Sequence, residues 1–266
     1  MGPSVRWGDT AARAGRAGRM TPAWLFPLAG ALLGLVFGSF IANLVIRWPQ
    51  GRSVIAGRSA CDSCGATLGP GELIPVFSHL LQRGTCRSCH APIDRRHLMI
   101  ELAAAMIGAT ALFVSPDLNG AAGALFGWFL LALAVLDVEH FWLPDALTLP
   151  LMALGLIAAA LLRPDLAEMR MIGAALGYTG LSLIGWAYRK LRGRVGLGGG
   201  DPKLLGAIGA WLGWPLLPFV LLLASLVGLG ALLLRREKVT AATRVPLGAL
   251  MALAAWPIWL VLQAPI

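Results

Sequence analysis

Acidic side chains are scarce in this chain: 13 Asp and Glu stand against 22 Lys and Arg, and charged residues occupy only 13% of the 266 positions. Water-soluble domains carry roughly a quarter of their residues charged, so this composition excludes an ordinary soluble enzyme. Hydrophobic residues instead fill 58% of the sequence, which is the composition of a polytopic membrane protein. Nucleotide-loop signatures are missing as well. No Gly-Lys-Ser/Thr follows the glycine cluster near residue 198, and no βαβ pattern precedes it. The net charge of +9 lies in loops beside apolar runs, where membrane topology accounts for it, so no nucleic-acid partner is implied. Only four cysteines occur, and all four fall in two close pairs.

What remains is dominated by long apolar runs over 23–46, 102–116, 118–136, 146–162, 171–188, 204–234 and 245–266. As one helix the run 204–234 would be about 46 Å long, too long for a hydrocarbon core of about 30 Å. Gly213-Trp214-Pro215 and Pro218 break it. The expectation is an all-α protein with about eight transmembrane helices, divided into a basic tail over 1–22, a first span over 23–46, a cytoplasmic zinc-ribbon-like loop over 47–97 and a membrane-embedded domain over 98–266. Lys and Arg concentrate in 47–97, 189–203 and 235–244, which places those loops in the cytoplasm by the positive-inside rule. Eight passes then put both termini outside, in conflict with Arg6, Arg13, Arg16 and Arg19, but three loops outweigh one tail. The first run is longer than a signal-peptide core and leads into Arg47, as a retained span would.

Two aspartates stand out against this background. Asp137 and Asp201 each touch the end of an apolar run, where an ionised carboxylate is costly and usually kept for function. Two crossings separate them, so both belong to the same face, the cytoplasmic one. Two carboxylates brought close cannot both ionise easily and can share a proton, which is the requirement of aspartyl proteolysis. The plainer alternative for Asp201, followed by Pro202, is a helix N-cap. Gly198, Gly199 and Gly200 favour the catalytic reading, since glycine permits unusual backbone conformations and close approach to a substrate. Asp145 competes for the first catalytic role, but Leu143-Pro144-Asp145 reads as a helix start, with the dipole favouring an anion there. Lys203 either tunes Asp201 or snorkels to the interface. Glu101 fits a cap or a substrate contact equally.

Cys61-x-x-Cys64 and Cys86-x-x-Cys89 are separated by 21 residues. Two such pairs form a tetrahedral zinc site with four thiolate ligands, closed to substrate and therefore structural, and a cytosolic position disfavours a disulfide. His90 beside Cys89 reads as a loop residue.

In order, Gly38-Ser39-Phe40, Arg47-Trp48-Pro49, the two cysteine pairs, Ile74-Pro75 with Ser78, Ile100-Glu101-Leu102, Asp137 with Leu143-Pro144-Asp145, and Gly198-x-Gly200-Asp201-x-Lys203 make up a set unlike any chance pattern. The chain resembles the type IV prepilin peptidases of the bacterial inner membrane, within the Gly-x-Gly-Asp class of intramembrane aspartyl proteases. The resemblance implies that Asp137 and Asp201 are the catalytic pair, that cleavage occurs at the cytoplasmic face, and that the substrates are prepilins or type II secretion pseudopilins. It also implies N-methylation of the new terminus with S-adenosylmethionine, because members with the long cysteine loop carry both activities. Positions that depart from the family pattern are Asn43, one place late behind Ala42, the pair Leu98-Met99, and Thr85. A transporter or a secretion-assembly scaffold is the alternative class, although no inverted repeat shows in the hydropathy.

Overall fold

The computed structural model describes residues 22–54, 60–61, 63–235 and 245–264. The basic tail and its orientation thus lie outside the described residues. Nine helices occur among the described residues: α1 (Leu25–Arg47), α2 (Phe77–Leu81), α3 (Arg95–Val114), α4 (Leu118–His140), α5 (Asp145–Leu162), α6 (Ala167–Arg192), α7 (Asp201–Leu212), α8 (Leu217–Arg235) and α9 (Leu247–Gln263). No strand is present among them, only two isolated bridges, Ala60 with Thr67 and Thr85 with Pro92.

The helices begin and end where the sequence supplies partners for free backbone groups. Asp94 caps α3 by accepting from the Arg96 amide, and Asp117 caps α4 through the amides of Asn119 and Gly120. Gly193, at φ 65°, ends α6 in the left-handed conformation. The long run 204–234 breaks as expected at Gly213, whose φ of 84° suits glycine, and a short 3-10 turn over Trp214–Leu216 reverses the chain into α8.

Helix α3 begins at Arg95, ahead of the apolar run from 102, so Glu101 lies well inside the helix and Asp94 is its cap. Likewise α6 continues through Arg189, Lys190 and Arg192. Five helical segments are long and apolar enough to cross a membrane: Leu25–Gln50, Arg95–Val114, Leu118–His140, Asp145–Leu162 and Trp214–Leu234. At 17 residues α9 is shorter, and α7 has only 12. A 12-residue helix is about 18 Å long, well under the hydrocarbon thickness. Its surroundings explain how it is tolerated: every residue of α7 except Lys203 is buried, so its neighbours are protein.

Two seams of small residues set the packing. Cβ atoms added at Gly30, Gly34 and Gly38 of α1 would meet the backbone of α3 at Gly108, Ala104 and Glu101. Gly173 and Gly177 of α6 approach the α7 backbone at Gly209 and Leu205 in the same way. Close backbone contact of this kind replaces the hydrophobic driving force that lipid cannot supply. Between the seams, Phe126 of α4 stacks on Trp211 of α7 at 4.9 Å, and the Trp211 indole donates to the Leu151 carbonyl of α5. Leaving aside the short α2, successive helices run in opposite directions. One end of the bundle therefore collects the ends of α1, α4, α6 and α8 with the starts of α3, α5, α7 and α9.

Candidate active site

Asp137 lies in the last turn of α4 and is 5% exposed; Asp201 is the first residue of α7 and is 7% exposed. The structure brings both to one end of the bundle, where Leu143 packs against Gly200, next to Asp201, and against Gly248, which lies beside Asp137 Oδ2. Each carboxylate is received by a backbone amide. Asp137 Oδ2 accepts from the Ala249 N–H at 2.9 Å, and a Cβ added at Gly248 would meet the same oxygen at 3.0 Å. Ala249 supplies a first-turn amide of α9, which has no partner inside its own helix, and the helix dipole favours an anion at that point. Asp201 Oδ2 accepts from the Gly198 N–H at 2.9 Å.

The cap proposed for Asp201 is held by Gly200 instead, with Asp201 at the first helical position and no side-chain capping bond. None of Gly198, Gly199 and Gly200 takes a positive φ, so backbone freedom is not what these positions use. Proximity is. A Cβ at Gly200 would meet Leu143 Cβ at 2.5 Å, and one at Gly198 would meet Asp201 Oδ2 at 2.9 Å. Leu143 also faces Gly248, so its side chain wedges between the glycine before Asp201 and the glycine beside Asp137. The short link that carries it starts at Phe141, left-handed at φ 50°, which ends α4 directly after the aspartate turn.

Asp145 and Lys203 find each other. Lys203 Nζ donates to both Asp145 oxygens, at 2.6 and 2.7 Å, tying the first turn of α5 to the first turn of α7. The pair sits at the exposed rim, with Asp145 58% exposed in its side chain. This contact confirms that α5 and α6 leave and return, bringing Asp145 and Asp201 to one end of the bundle. On the other side of Asp137, Glu139 accepts from Arg96 of α3 at 2.7 Å, and Trp142 meets Trp48 edge-on at 5.0 Å.

The four cysteines converge between α1 and α3. All four Sγ atoms lie within 4.8 Å of one another, and Cys61 and Cys89 Sγ are 3.9 Å apart. A tetrahedral ion with sulfur ligands at about 2.3 Å separates its sulfurs by about 3.8 Å, so the donor set fits. Each pair forms the same knuckle. The Cys61 amide donates to Ala66 and the Gly65 amide to Cys61, while the Cys86 amide donates to Ala91 and the His90 amide to Cys86. His90, at φ 57°, takes the left-handed place that Gly65 takes in the first knuckle at φ 73°, and is a loop residue outside the thiol cluster. Backbone amides of Cys64 and Ser63 hold the Cys61 thiol down to about 7, so one ligand is readily a thiolate.

Beneath the knuckles, and apart from the aspartates, lies a cavity of about 310 Å³ reached by Glu101, His79, Arg96 and Cys86. Two buried carboxylates that share a proton can work as general base and general acid on one peptide bond, whereas a four-thiol site can only hold an ion. Sequence reasoning missed Leu143 as a wedge, the Ala249 amide of α9 that holds Asp137, and the Arg96–Glu139 pair.

Residues 32–115 match the family model described as the bacterial peptidase A24 N-terminal domain, and residues 124–233 match that of the type IV leader peptidase family. The first stretch carries the cysteines and Glu101, the second both aspartates. Among curated proteins named prepilin leader peptidase/N-methyltransferase, the chain is 36% identical over 257 residues to one from Pseudomonas aeruginosa, covering 87% of this chain and 89% of the relative. It is 37% identical over 262 residues to one from Aeromonas hydrophila, covering 88% and 90%. With one from Burkholderia pseudomallei the identity is 41% over 226 residues, covering 74% and 72%. No solved structure matches the chain.

Proposed function

The chain belongs to the type IV leader peptidase family, and on that premise we propose that it removes the leader of prepilins or type II secretion pseudopilins with Asp137 and Asp201. The observation that carries this reading is the pair itself: two buried carboxylates, each received by a backbone amide, on either side of the Leu143 wedge at the end of the bundle that bears the basic loops. The Lys and Arg concentrated in its loops support a cytoplasmic position for that end in a bacterial inner-membrane protein, with the apolar helix of the substrate in the bilayer and its basic leader outside it.

One carboxylate takes a proton from water as the other gives a proton to the scissile carbonyl; the roles then reverse as the tetrahedral intermediate expels the amine. Leu143 and Gly200 fix the spacing of the two carboxylates. The amide of Ala249 stabilises charge on Asp137, and that of Gly198 does so on Asp201. The Lys203–Asp145 pair holds the α5 and α7 starts in register at the rim. Zinc held by Cys61, Cys64, Cys86 and Cys89 would fix the fold of the loop without touching the peptide bond. The second activity, N-methylation of the new terminal residue from S-adenosylmethionine, is carried over from the names of the relatives.

The test is mass spectrometry of a prepilin-type substrate incubated with the protein and S-adenosylmethionine in membranes, beside the Asp137→Asn and Asp201→Asn forms. A shortened chain with one added methyl group, absent with both variants, supports both activities. An intact substrate, or cleavage that survives loss of the aspartates, refutes the peptidase reading.

A further inference from the structure

We propose that the cavity beneath the cysteine knuckles binds the methyl donor, and that Glu101 on its wall is the base that frees the substrate amine for methylation. This rests on the methyltransferase half of the proposed function and assigns it a place and a residue. The cavity, about 310 Å³, lies at the lower end of the range for ligand pockets, about 300–1,000 Å³. Its lining has both signs: Glu72, Asp94 and Glu101 with Arg47, Arg52 and Arg96, of which Asp94 and Arg96 pair with each other. Such a lining suits a ligand that is itself of both signs, as a sulfonium with an amino-acid head is. Apolar Ile46, Leu68, Leu73 and Ile93 offer contact for a flat base.

Features of this wall remain unexplained by folding alone. Glu101 is only 6% exposed, on a membrane helix, with no basic side chain bonded to it among the described residues. It accepts from the Val76 amide at 2.7 Å. Val76 has φ 63° and ψ −52°, and the Phe77 amide donates to the Pro75 carbonyl at 2.6 Å. That is a γ-turn of the rarer, strained hand, on a β-branched residue that disfavours it. Backbone strain of this kind collects where a site is being shaped. His79, one turn further on, lines the same cavity, and its Nδ1 is buried with no hydrogen-bond partner among the described residues. Buried polar atoms are nearly always paired, so this nitrogen is one that a bound ligand can satisfy.

The chemistry balances with Glu101 as proton acceptor. Cleavage leaves an α-ammonium, whose nitrogen has no lone pair to offer. The Glu101 carboxylate takes one proton from it. The freed lone pair attacks the methyl carbon of the sulfonium; the new N–C bond forms as the S–C bond breaks, and the neutral thioether leaves with that electron pair. The product is a secondary ammonium, and Glu101 returns its proton to water. The route from the cleavage site is short, since Arg96 on the cavity wall pairs with Glu139, two residues beyond Asp137.

The experiment uses the full chain with zinc in detergent. Titration calorimetry with S-adenosylhomocysteine, and ultraviolet cross-linking of labelled S-adenosylmethionine followed by peptide mapping, locate the site; cleavage and methylation are followed in parallel. Adducts in the peptides around Glu72–Gln82 or Ala91–Glu101 are expected. Gln82→Trp, which fills the cavity, should weaken binding by about 10-fold or more, with cleavage as the check that the fold persists. Glu101→Gln keeps an oxygen for the Val76 amide, so donor binding should hold while methylation at pH 7 falls by about 100-fold. Methylation by that variant should recover as pH rises through the amine value of about 7.7–8.0, a profile that a purely structural role would not produce. Adducts elsewhere, unchanged binding in Gln82→Trp, or a Glu101→Gln form that methylates normally at pH 7 overturn the proposal. So does wild type that cleaves but does not bind donor, which leaves the peptidase reading standing. Donor bound at these residues without cleavage supports the site and sinks the peptidase reading.

Discussion

The aspartate site and the cysteine segment share one end of the bundle but are held by opposite means. Asp137 and Asp201 ride on continuous helices, and a leucine wedge with the first-turn amide of Ala249 fixes their spacing. Between Arg47 and Arg95 the described chain has one five-residue α-helix, two short 3-10 turns and two knuckles, so its shape depends on four thiols meeting at one point. One site is made by packing; the other gathers four thiols placed to be cross-linked by an ion. The difference predicts that each can be broken while the other persists.

The largest effect should come from Asp137→Asn or Asp201→Asn. Leader cleavage, read by gel shift of a prepilin, should drop by about 10³-fold or more, because either carboxylate alone lacks its acid or base partner. Zinc content by atomic absorption should stay at that of wild type. The reverse case is Cys64→Ser: zinc content and methylation should collapse, the latter by about 100-fold, while cleavage falls by no more than about 10-fold. Equal loss of both activities would show that the two regions are not separable. A smaller change is expected at the rim, where Lys203→Met or Asp145→Asn should slow cleavage by about fivefold, since an exposed ion pair is worth about 1 kcal/mol or less. The double variant should be no worse than either single one. The smallest is Arg96→Gln, which severs the link to Glu139. It should raise the ratio of unmethylated to methylated product by about twofold and leave each region folded, as judged by zinc content and thermal melting.

Both regions are legible in the sequence, for different reasons. Asp137 and Asp201 stand out because charge at an apolar run is expensive wherever the chain goes next, and the cysteine pairs because metal geometry imposes a short spacing. Asp145 reads correctly as a helix start, but its bond to Lys203, 58 positions away, has no local signature. The same holds for the Ala249 amide, which meets Asp137 across 112 positions. Helix ends are misjudged wherever basic or acidic residues continue a helix past its apolar stretch, as at Arg95–Glu101 and Arg189–Arg192. Hydropathy sees the solvent a residue prefers, not the backbone it adopts. The three glycines before Asp201 read as special, yet their value is room for Leu143 and for a carboxylate, not unusual torsion.

The shortness of α7 has a consequence for where this protein can work. Because α7 is sheathed by other helices on all sides but Lys203, a thicker or thinner bilayer presses on the lipid-facing helices and has no direct grip on the element that carries Asp201. The separation of the two carboxylates is therefore a property of the protein rather than of the lipid. Transferred to a host whose membrane differs by a few ångströms in thickness, the bundle can tilt while its reaction geometry travels with it unchanged.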